Sequence, residues 1–216
     1  MSPVSSPVRI LTCAHLDRLL LCLCWVGAAS ALLSLSFVWT ICGTPKTMQQ
    51  EIETVIGQER SPCMEDRKSL PFTDAVVHEV QRLMDIAPMN VPRYSLKDIS
   101  FRGYTIPKNT VIIPLLHSVL KEEKLWATPW SFNPQHFLDQ NGNFKKNPAF
   151  LPFSAGKRAC VGESLARMEI FLFMVSLLQR FTFSCPEGPD SVDLTPEYSS
   201  FANVPRRYKI IATPRL

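Results

Sequence analysis

The chain has 216 residues, 46% of them hydrophobic and 19% charged, which is enough for one domain with a substantial core. Its 23 basic and 19 acidic residues are spread along the chain and leave a net charge of +4 without a basic tail, so a nucleic-acid partner is not suggested. Seven cysteines are an odd number, three of them lie in one apolar run, and no CxxC or HxxxH spacing occurs, which argues against a disulfide framework and against a zinc site.

The N-terminal part is dominated by an apolar run. Between Arg18 and Lys46 there are 27 consecutive residues without a charge. Residues 19–42 are apolar and long enough to cross a membrane as a helix, and we expect such a transmembrane helix there. Two alternatives stay open: a signal peptide cleaved near residues 28–31, or a hydrophobic segment that does not fold.

Two amphipathic helices are predicted next. From Thr47 onwards the apolar residues fall on one face of a short helix. Pro71 and Thr73 open a second helix, which Pro88 closes. HEVQR in this second helix is close to the zinc-hydrolase pattern HExxH, but Arg82 stands where the second ligand would be. The apolar faces consist of Met48, Ile52, Val55 and Ile56 in the first helix, and Val76, Val77, Val80 and Leu83 in the second.

The remainder of the chain combines short strands, an irregular stretch and one long helix. Residues 100–104 turn at Gly103, residues 111–115 form a β-branched run, and a short helix is expected around residues 117–125. Residues 128–152 have neither a helical nor an alternating period. Residues 162–181 have the strongest helical period, which predicts a core helix with a stripe of Leu165, Met168, Glu169, Leu172, Val175 and Leu178. The tail from residue 183 is predicted to form short strands broken by prolines.

The segment FSAGKRACVG, which begins at Phe153, carries the most specific chemistry. A thiolate ligand needs a cradle that is electropositive and rich in hydrogen-bond donors, because such a cradle keeps the sulfur ionised. Gly156 and Gly162 allow a tight turn around Cys160, and Arg158 supplies a cation. The long helix begins directly afterwards, and the N–H groups at its N-terminus favour a negative charge on the sulfur. Phe153 would shield one face of the sulfur from water. The alternative is that Cys160 is a small buried hydrophobic residue.

FSAGKRACVG resembles the haem-binding signature of the cytochrome P-450 family, FxxGxRxC followed one residue later by glycine. EVQR, residues 79–82, is similar to the ExxR helix of that family, and FNPQHF, residues 132–137, is similar to its PERF-type motif. In the usual pattern an arginine of that motif joins Glu79 and Arg82 in a buried network, and His136 stands there in this chain. This departure is typical of the second family of microsomal members, which the chain also resembles in GNFKK, ARMEIFLF and TDAVVHEVQR.

The resemblance implies a role for each of these residues. Cys160 would be the axial ligand of the haem iron (heme, iron protoporphyrin IX), with Phe153, Gly156 and Gly162 forming its loop. Arg93 and Arg158 would bind the haem propionates, since a guanidinium suits a carboxylate. Glu79, Arg82 and His136 would hold the proximal scaffold, and protonation of His136 would strengthen its bond to Glu79. The alternative for His136 is a partly exposed loop histidine.

The resemblance also implies partners. Residues 86–91 and 200–204 correspond to the last two substrate-recognition segments of the family, and their small apolar residues suggest a lipophilic substrate. Lys145, Lys146 and Lys157 lie near the cysteine loop, on the side where the family docks its NADPH-dependent reductase. A solvated lysine cluster is equally compatible with the sequence.

We therefore expect an α+β fold, the C-terminal part of the cytochrome P-450 fold with mostly helices and small β-sheets. The expected organisation is an N-terminal segment, residues 1–46, with a transmembrane helix at about 19–42, followed by a partial haem-thiolate domain, residues 47–216. The implied setting is the endoplasmic reticulum membrane. The implied activity is NADPH-driven oxidation of lipophilic xenobiotics, fatty acids or steroids.

The resemblance covers roughly the C-terminal third of a normal family member. The family's central helix, whose acid and threonine pair supplies protons for oxygen activation, has no counterpart, since no AGxxT pattern occurs. We therefore expect no distal catalytic residue, slow or uncoupled turnover, and a truncated, alternatively spliced or mispredicted product of a gene for such a monooxygenase. Two alternatives remain: a membrane-tethered remnant that binds haem or the reductase without turnover, and a small membrane protein whose anchor alone matters.

Overall fold

A computed structural model describes residues 9–12, 44–186, 196–199, 202–206 and 209–215. The described helices are α1 (Thr44–Val55), α2 (Pro71–Met84), α3 (Leu116–Leu120) and α4 (Glu163–Arg180). The described strands are β1 (Arg9–Thr12), β2 (Arg93–Tyr94), β3 (Ile99–Phe101), β4 (Tyr104–Ile106), β5 (Val111–Ile112), β6 (Phe181–Ser184), β7 (Pro196–Ser199), β8 (Asn203–Pro205) and β9 (Lys209–Pro214). Helices and small sheets occur together, as the predicted α+β class requires.

The strands form one small sheet and three ribbons, all antiparallel. Strand β9 lies between β1 and β6, while β2 pairs with β5, β3 with β4, and β7 with β8. The β3–β4 hairpin turns at Gly103, where φ is +85°, a value that glycine adopts without strain. The three-stranded sheet contributes Phe183, Ile210 and Ala212 to the larger core that the helices form.

The larger hydrophobic core lies where α1, α2 and α4 pack together. The predicted stripe of α1 is correct, because Met48, Ile52 and Ile56 are buried, and the stripe of α2 is buried with it through Val76, Val77 and Val80. A second, smaller cluster contains Ala75, Leu120, Trp126, Phe137, Ala149 and Phe150. Helix α2 contributes to both clusters and is therefore the centre of the described fold.

Three sequence predictions differ from the structure in detail. The strand predicted for residues 111–115 ends at Ile112, because Pro114 has no N–H to continue a ladder. The helix predicted for residues 117–125 is Leu116–Leu120, since the chain then turns back to bury Trp126. In α4, Leu165 and Met168 are exposed although the stripe placed them in the core.

The transmembrane helix predicted at residues 19–42 lies outside the described residues. Of the helices within the described ranges, none is both long enough and apolar enough to cross a membrane.

Candidate functional site

Helix α2 holds the first two candidate residues, and its start is fixed by a side chain of another helix. The carboxylate of Glu51, in α1, accepts hydrogen bonds from the backbone N–H groups of Phe72 and Thr73 at 2.9 and 2.8 Å and from the Thr73 hydroxyl at 2.6 Å. These bonds satisfy N–H groups that have no partner within the helix and place a negative charge at its positive end. The bonds from Glu51 therefore fix the position of the helix that carries Glu79 and Arg82.

Arg82 is fully buried and every one of its five N–H groups has an acceptor. Its Nε and Nη2 donate to the two carboxylate oxygens of Glu79 at 2.8 and 2.7 Å. The remaining donors reach the carbonyl oxygens of Leu120 at 2.9 Å, Pro129 at 2.6 Å and Ser131 at 3.1 Å. The guanidinium thus ties α2 to α3 and to the irregular stretch.

His136 completes this network, as the resemblance implied. Its Nδ1 lies 3.1 Å from Oε2 of Glu79, and its side chain is 5% exposed, so the alternative of a partly exposed loop histidine is wrong. The backbone N–H of Thr128 donates to Nε2 at 3.2 Å. Nε2 is therefore the acceptor and Nδ1 carries the proton. The backbone N–H of Asn133 donates to Oε1 of Glu79 at 2.8 Å.

That protonation of His136 would strengthen its bond to Glu79 stays a prediction. Nε2 lies 3.2 Å from the backbone nitrogen of Thr128 and 3.3 Å from the Thr128 hydroxyl oxygen, so both ring nitrogens of His136 have a neighbour to bond.

The cysteine loop is shaped by two residues with positive φ and by backbone hydrogen bonds. Ser154 and Gly156 have φ values of +67° and +71°. The N–H of Cys160 donates to the carbonyl of Phe153 at 2.9 Å, which closes the loop, and the N–H of Glu163 donates to the Cys160 carbonyl at 3.4 Å as α4 begins. The side chain of Cys160 is exposed, so the alternative of a small buried hydrophobic residue is wrong.

Gly162 does not have the role that its position suggested. Its φ is −88°, which any residue adopts, and a Cβ at this position would be 3.8 Å from Sγ of Cys160, an ordinary contact. Gly162 adjoins the sulfur but is not required for the turn. Gly156, with its positive φ, is the glycine that the backbone needs.

Arg93 and Arg158 lie together beside this loop. Nη2 of Arg93 donates to the carbonyl oxygen of Arg158 at 3.2 Å and to Oγ of Ser154 at 3.1 Å, while the Arg158 side chain is exposed. Nδ2 of Asn90 donates to the same Oγ at 3.0 Å. The resemblance named the two arginines, but Ser154 and Asn90 were not found from sequence, because Ser154 occupies a variable position of the motif.

Phe153 is packed on a second guanidinium that sequence reasoning also missed. Cζ of Arg167, in α4, lies 5.3 Å from the ring centre of Phe153 and 5.1 Å from that of Phe150. Arg167 also forms an ion pair with Glu163 at 2.8 Å, and its Nη1 lies 2.9 Å from Nε2 of His78. These contacts join the cysteine loop to the buried face of α2.

His78 is a packing residue of this joint. Its Nδ1 lies 2.7 Å from the carbonyl oxygen of Asp74 and 3.2 Å from Oδ1 of the same residue, so Nδ1 carries the proton and Nε2 accepts from Arg167. Burial raises the pKa of Asp74, but the bonds from His78 and Arg67 outweigh burial and bring the net pKa below its usual value.

The two segments expected to face a substrate, residues 86–91 and 200–204, are joined by Asn203 next to Asp85, the residue that precedes the first segment. This residue has φ +44° at the end of α2, and burial raises its pKa against the opposing effects of His117 and Lys121. Nδ2 of Asn203 donates to the Asp85 carbonyl at 2.7 Å, and the Asn203 N–H donates to the Ile86 carbonyl at 3.0 Å. Residues 200 and 201 of the second segment lie outside the described residues.

Lys145, Lys146 and Lys157 are all exposed, which is compatible both with a docking surface and with a solvated lysine cluster. Within the described ranges, no three side chains of His, Cys, Asp or Glu converge on one point. An exposed cysteine just before a helix, in a loop that contains Arg158 and accepts a hydrogen bond from Arg93, fits a planar metal complex that carries carboxylates.

Comparison with known proteins supports this fit. The family model described as Cytochrome P450 matches residues 43–212. The chain is 53% identical over 167 residues to Cytochrome P450 2C3 of Oryctolagus cuniculus, an alignment that covers 77% of this chain and 34% of the relative. It is 50% identical over 168 residues to Cytochrome P450 2F1 of Homo sapiens, covering 78% and 34%. The chain thus spans about a third of the length of these relatives.

Proposed function

Because the chain belongs to the cytochrome P450 family, whose cofactor is haem, we propose that it is a haem-thiolate protein with Cys160 as the iron ligand. The observation that carries the proposal is the exposed thiol of Cys160, held at the start of α4 by a loop closed with backbone bonds. Cys160 lies three residues before the start of this 18-residue helix and two residues after Arg158, so a helix N-terminus and a basic residue stand on either side of the proposed ligand in the sequence.

Three further residues would hold the cofactor in place. Arg93 and Arg158, joined by a hydrogen bond, would bind the haem carboxylates. Phe153, backed by Arg167, would keep water from the sulfur on its side. Haem bound through a thiolate supplies dioxygen activation and insertion of one oxygen atom into an apolar substrate.

The network of Glu79, Arg82 and His136 would serve as the scaffold for the proximal side. The network connects α2 to the irregular stretch that runs into the cysteine loop. Every N–H group of the buried Arg82 has an acceptor, either Glu79 or a backbone carbonyl. A network whose members are all satisfied resists rearrangement. Its proposed role is therefore to hold the loop in position.

The remaining proposals concern the substrate, the partner and the location. Residues 86–91 would contact a lipophilic substrate. This segment is bonded to Asn203 through the carbonyl of Ile86. Lys145, Lys146 and Lys157, which are exposed near the loop, would attract an acidic face of an NADPH-dependent reductase. The resemblance to microsomal members supports a location at the endoplasmic reticulum membrane.

Reconstitution with haem tests the ligand. The wild-type chain, C160A and C63A would be titrated with haemin, reduced and exposed to carbon monoxide. We expect the red-shifted band of thiolate ligation in the wild type and in C63A, which removes another exposed thiol, and its loss in C160A. Retention of the band in C160A would show that another group binds the iron.

A turnover assay separates a monooxygenase from a protein that binds haem without turnover. The reconstituted chain would be supplied with NADPH, a microsomal reductase and a lipophilic probe substrate, and product formation would be compared with NADPH consumption. Product formed in proportion to NADPH supports the monooxygenase. A thiolate spectrum without product supports the non-catalytic alternative.

A further inference from the structure

Ser154 combines a strained backbone with a hydroxyl that accepts two side-chain hydrogen bonds. Its φ of +67° lies in the left-handed region, which glycine adopts freely and serine adopts rarely. Its Oγ accepts from Nδ2 of Asn90 at 3.0 Å and from Nη2 of Arg93 at 3.1 Å. Glycine at this position would relieve the backbone but would remove the acceptor.

The bond from Arg93 fixes one corner of its guanidinium. Nη2 is held between the Ser154 hydroxyl and the Arg158 carbonyl oxygen, both in the cysteine loop. No acceptor among the described residues takes Nε or Nη1 of Arg93, and the side chain is half-buried. A planar group anchored at one corner presents its remaining N–H groups in one fixed direction, where they match a carboxylate.

We infer that the Ser154 hydroxyl is a positioning residue that aims Arg93 at a carboxylate of the haem. This inference rests on the proposed haem binding. Ser154 does not contact the cofactor in this role and acts through Arg93. Asn90, which shares the same oxygen, ties residues 86–91 to the loop and so links the proposed substrate segment to the proposed cofactor site.

Haem and its dimethyl ester provide the test, because the ester has the same ring without free carboxylates. The wild-type chain, S154A, S154G and the control S118A would be titrated with both. Ser118, in helix α3, is exposed, and its hydroxyl donates to the backbone carbonyl of Leu115. We expect S154A to bind haem about fivefold more weakly, the effect of one ordinary hydrogen bond, and to bind the ester within about twofold of the wild type.

S154G separates the hydroxyl from the backbone strain. Both variants lack the acceptor, but glycine also relieves the positive φ. We therefore expect S154G to lose haem affinity as S154A does, while S118A remains at the wild-type affinity. Recovery of the affinity in S154G, or an equal loss with haem and with the ester, would show that Ser154 serves only the shape of the loop and would overturn the inference.

A measurement without haem distinguishes failure of the inference from failure of haem binding. We expect hindered rotation of the Arg93 guanidinium, and so separate ¹⁵N signals for its two Nη atoms, in the wild-type chain and in S118A. We expect these signals to merge in S154A and S154G, because Nη2 loses an acceptor. Absence of haem uptake by the wild type would refute the proposed function alone, whereas unchanged Arg93 signals in S154A would refute the role of the serine.

Discussion

The buried network of Glu79, Arg82 and His136 and the cysteine loop at the start of α4 satisfy their polar groups in different ways. In the network, side chains bind other side chains and carbonyl groups, and Glu79 and Arg82 are fully buried. The loop is closed by a backbone hydrogen bond, it accepts hydrogen bonds from Asn90 and Arg93, and its Arg158 and Cys160 side chains are exposed. The polar groups of Glu79 and Arg82 find their partners within this chain, whereas the side chains of Cys160 and Arg158 remain accessible to a ligand.

This difference indicates which part of the site contributes most to the free energy of unfolding. Breaking a buried ion pair leaves a charge without a partner, which is among the most destabilising changes that a protein can suffer. Replacing an exposed side chain removes few contacts. Stability should therefore depend on residues far in sequence from the cysteine, and the cysteine itself should contribute little to it.

The largest effect is expected for R82A. The substitution leaves the carboxylate of Glu79 buried without its guanidinium, and we expect a loss of about 3–5 kcal/mol in the free energy of unfolding. Since domains are stable by roughly 5–15 kcal/mol, the variant would be near the limit of folding. Urea denaturation of the haem-free chain, followed by circular dichroism, measures the change.

R180A is the matched control for this prediction. Arg180 is the last residue of α4 and its side chain is exposed, so its replacement should change the free energy of unfolding by less than about 0.5 kcal/mol. A similar loss in R82A and R180A would mean that the buried network does not carry the stability assigned to it, and the comparison of the two regions would fail.

A smaller effect is expected for the pH dependence of Lys121, which lies next to the network. Burial, with the nearby charge of Arg82, lowers the pKa of Lys121 to about 8. Between pH 8 and the usual lysine pKa near 10.5, the unfolded chain binds a proton that the folded chain does not, so stability from this group rises with pH. The rise is at most about 3 kcal/mol.

K121M and K124M measure this dependence. We expect the wild type and K124M, which removes an exposed lysine nearby, to gain stability from pH 8 to pH 10.5 relative to K121M. Subtracting the K121M curve removes the contribution of other groups that titrate in this range. An identical pH dependence in all three proteins would show that Lys121 is solvated, and the low-polarity surroundings of the network would have to be reconsidered.

Local motifs were predictable from the sequence because their spacing reflects local geometry. Cys160 lies within a short loop whose pattern of residue types located it directly, whereas Glu79 and Arg82, three residues apart on one helix, were identified by their spacing together with the family resemblance. His136 was located only by resemblance, since 57 residues separate it from Glu79. Its tautomer could not be predicted, because the tautomer depends on the backbone N–H of Thr128.

The residues missed by sequence reasoning are joined by tertiary contacts. Ser154 binds Asn90 and Arg93 across more than 60 residues, and Arg167 binds His78 across 89. In α4, the period placed Leu165 in the core although it is exposed. A helix that is apolar on more than one side does not reveal which face packs inwards, and the arrangement of α1 and α2 decides that question.

The smallest effect is expected for C160S, although this substitution removes the proposed iron ligand. The side chain is exposed and the loop is closed by the backbone bond to Phe153, which serine retains, so the free energy of unfolding without haem should change by less than about 0.5 kcal/mol. Urea denaturation alongside R82A gives the contrast directly. A loss above about 1 kcal/mol would show that the thiol takes part in folding the loop, because an exposed side chain with no structural role has no such effect. An unchanged midpoint would mean that chemistry and stability reside in different residues of this site.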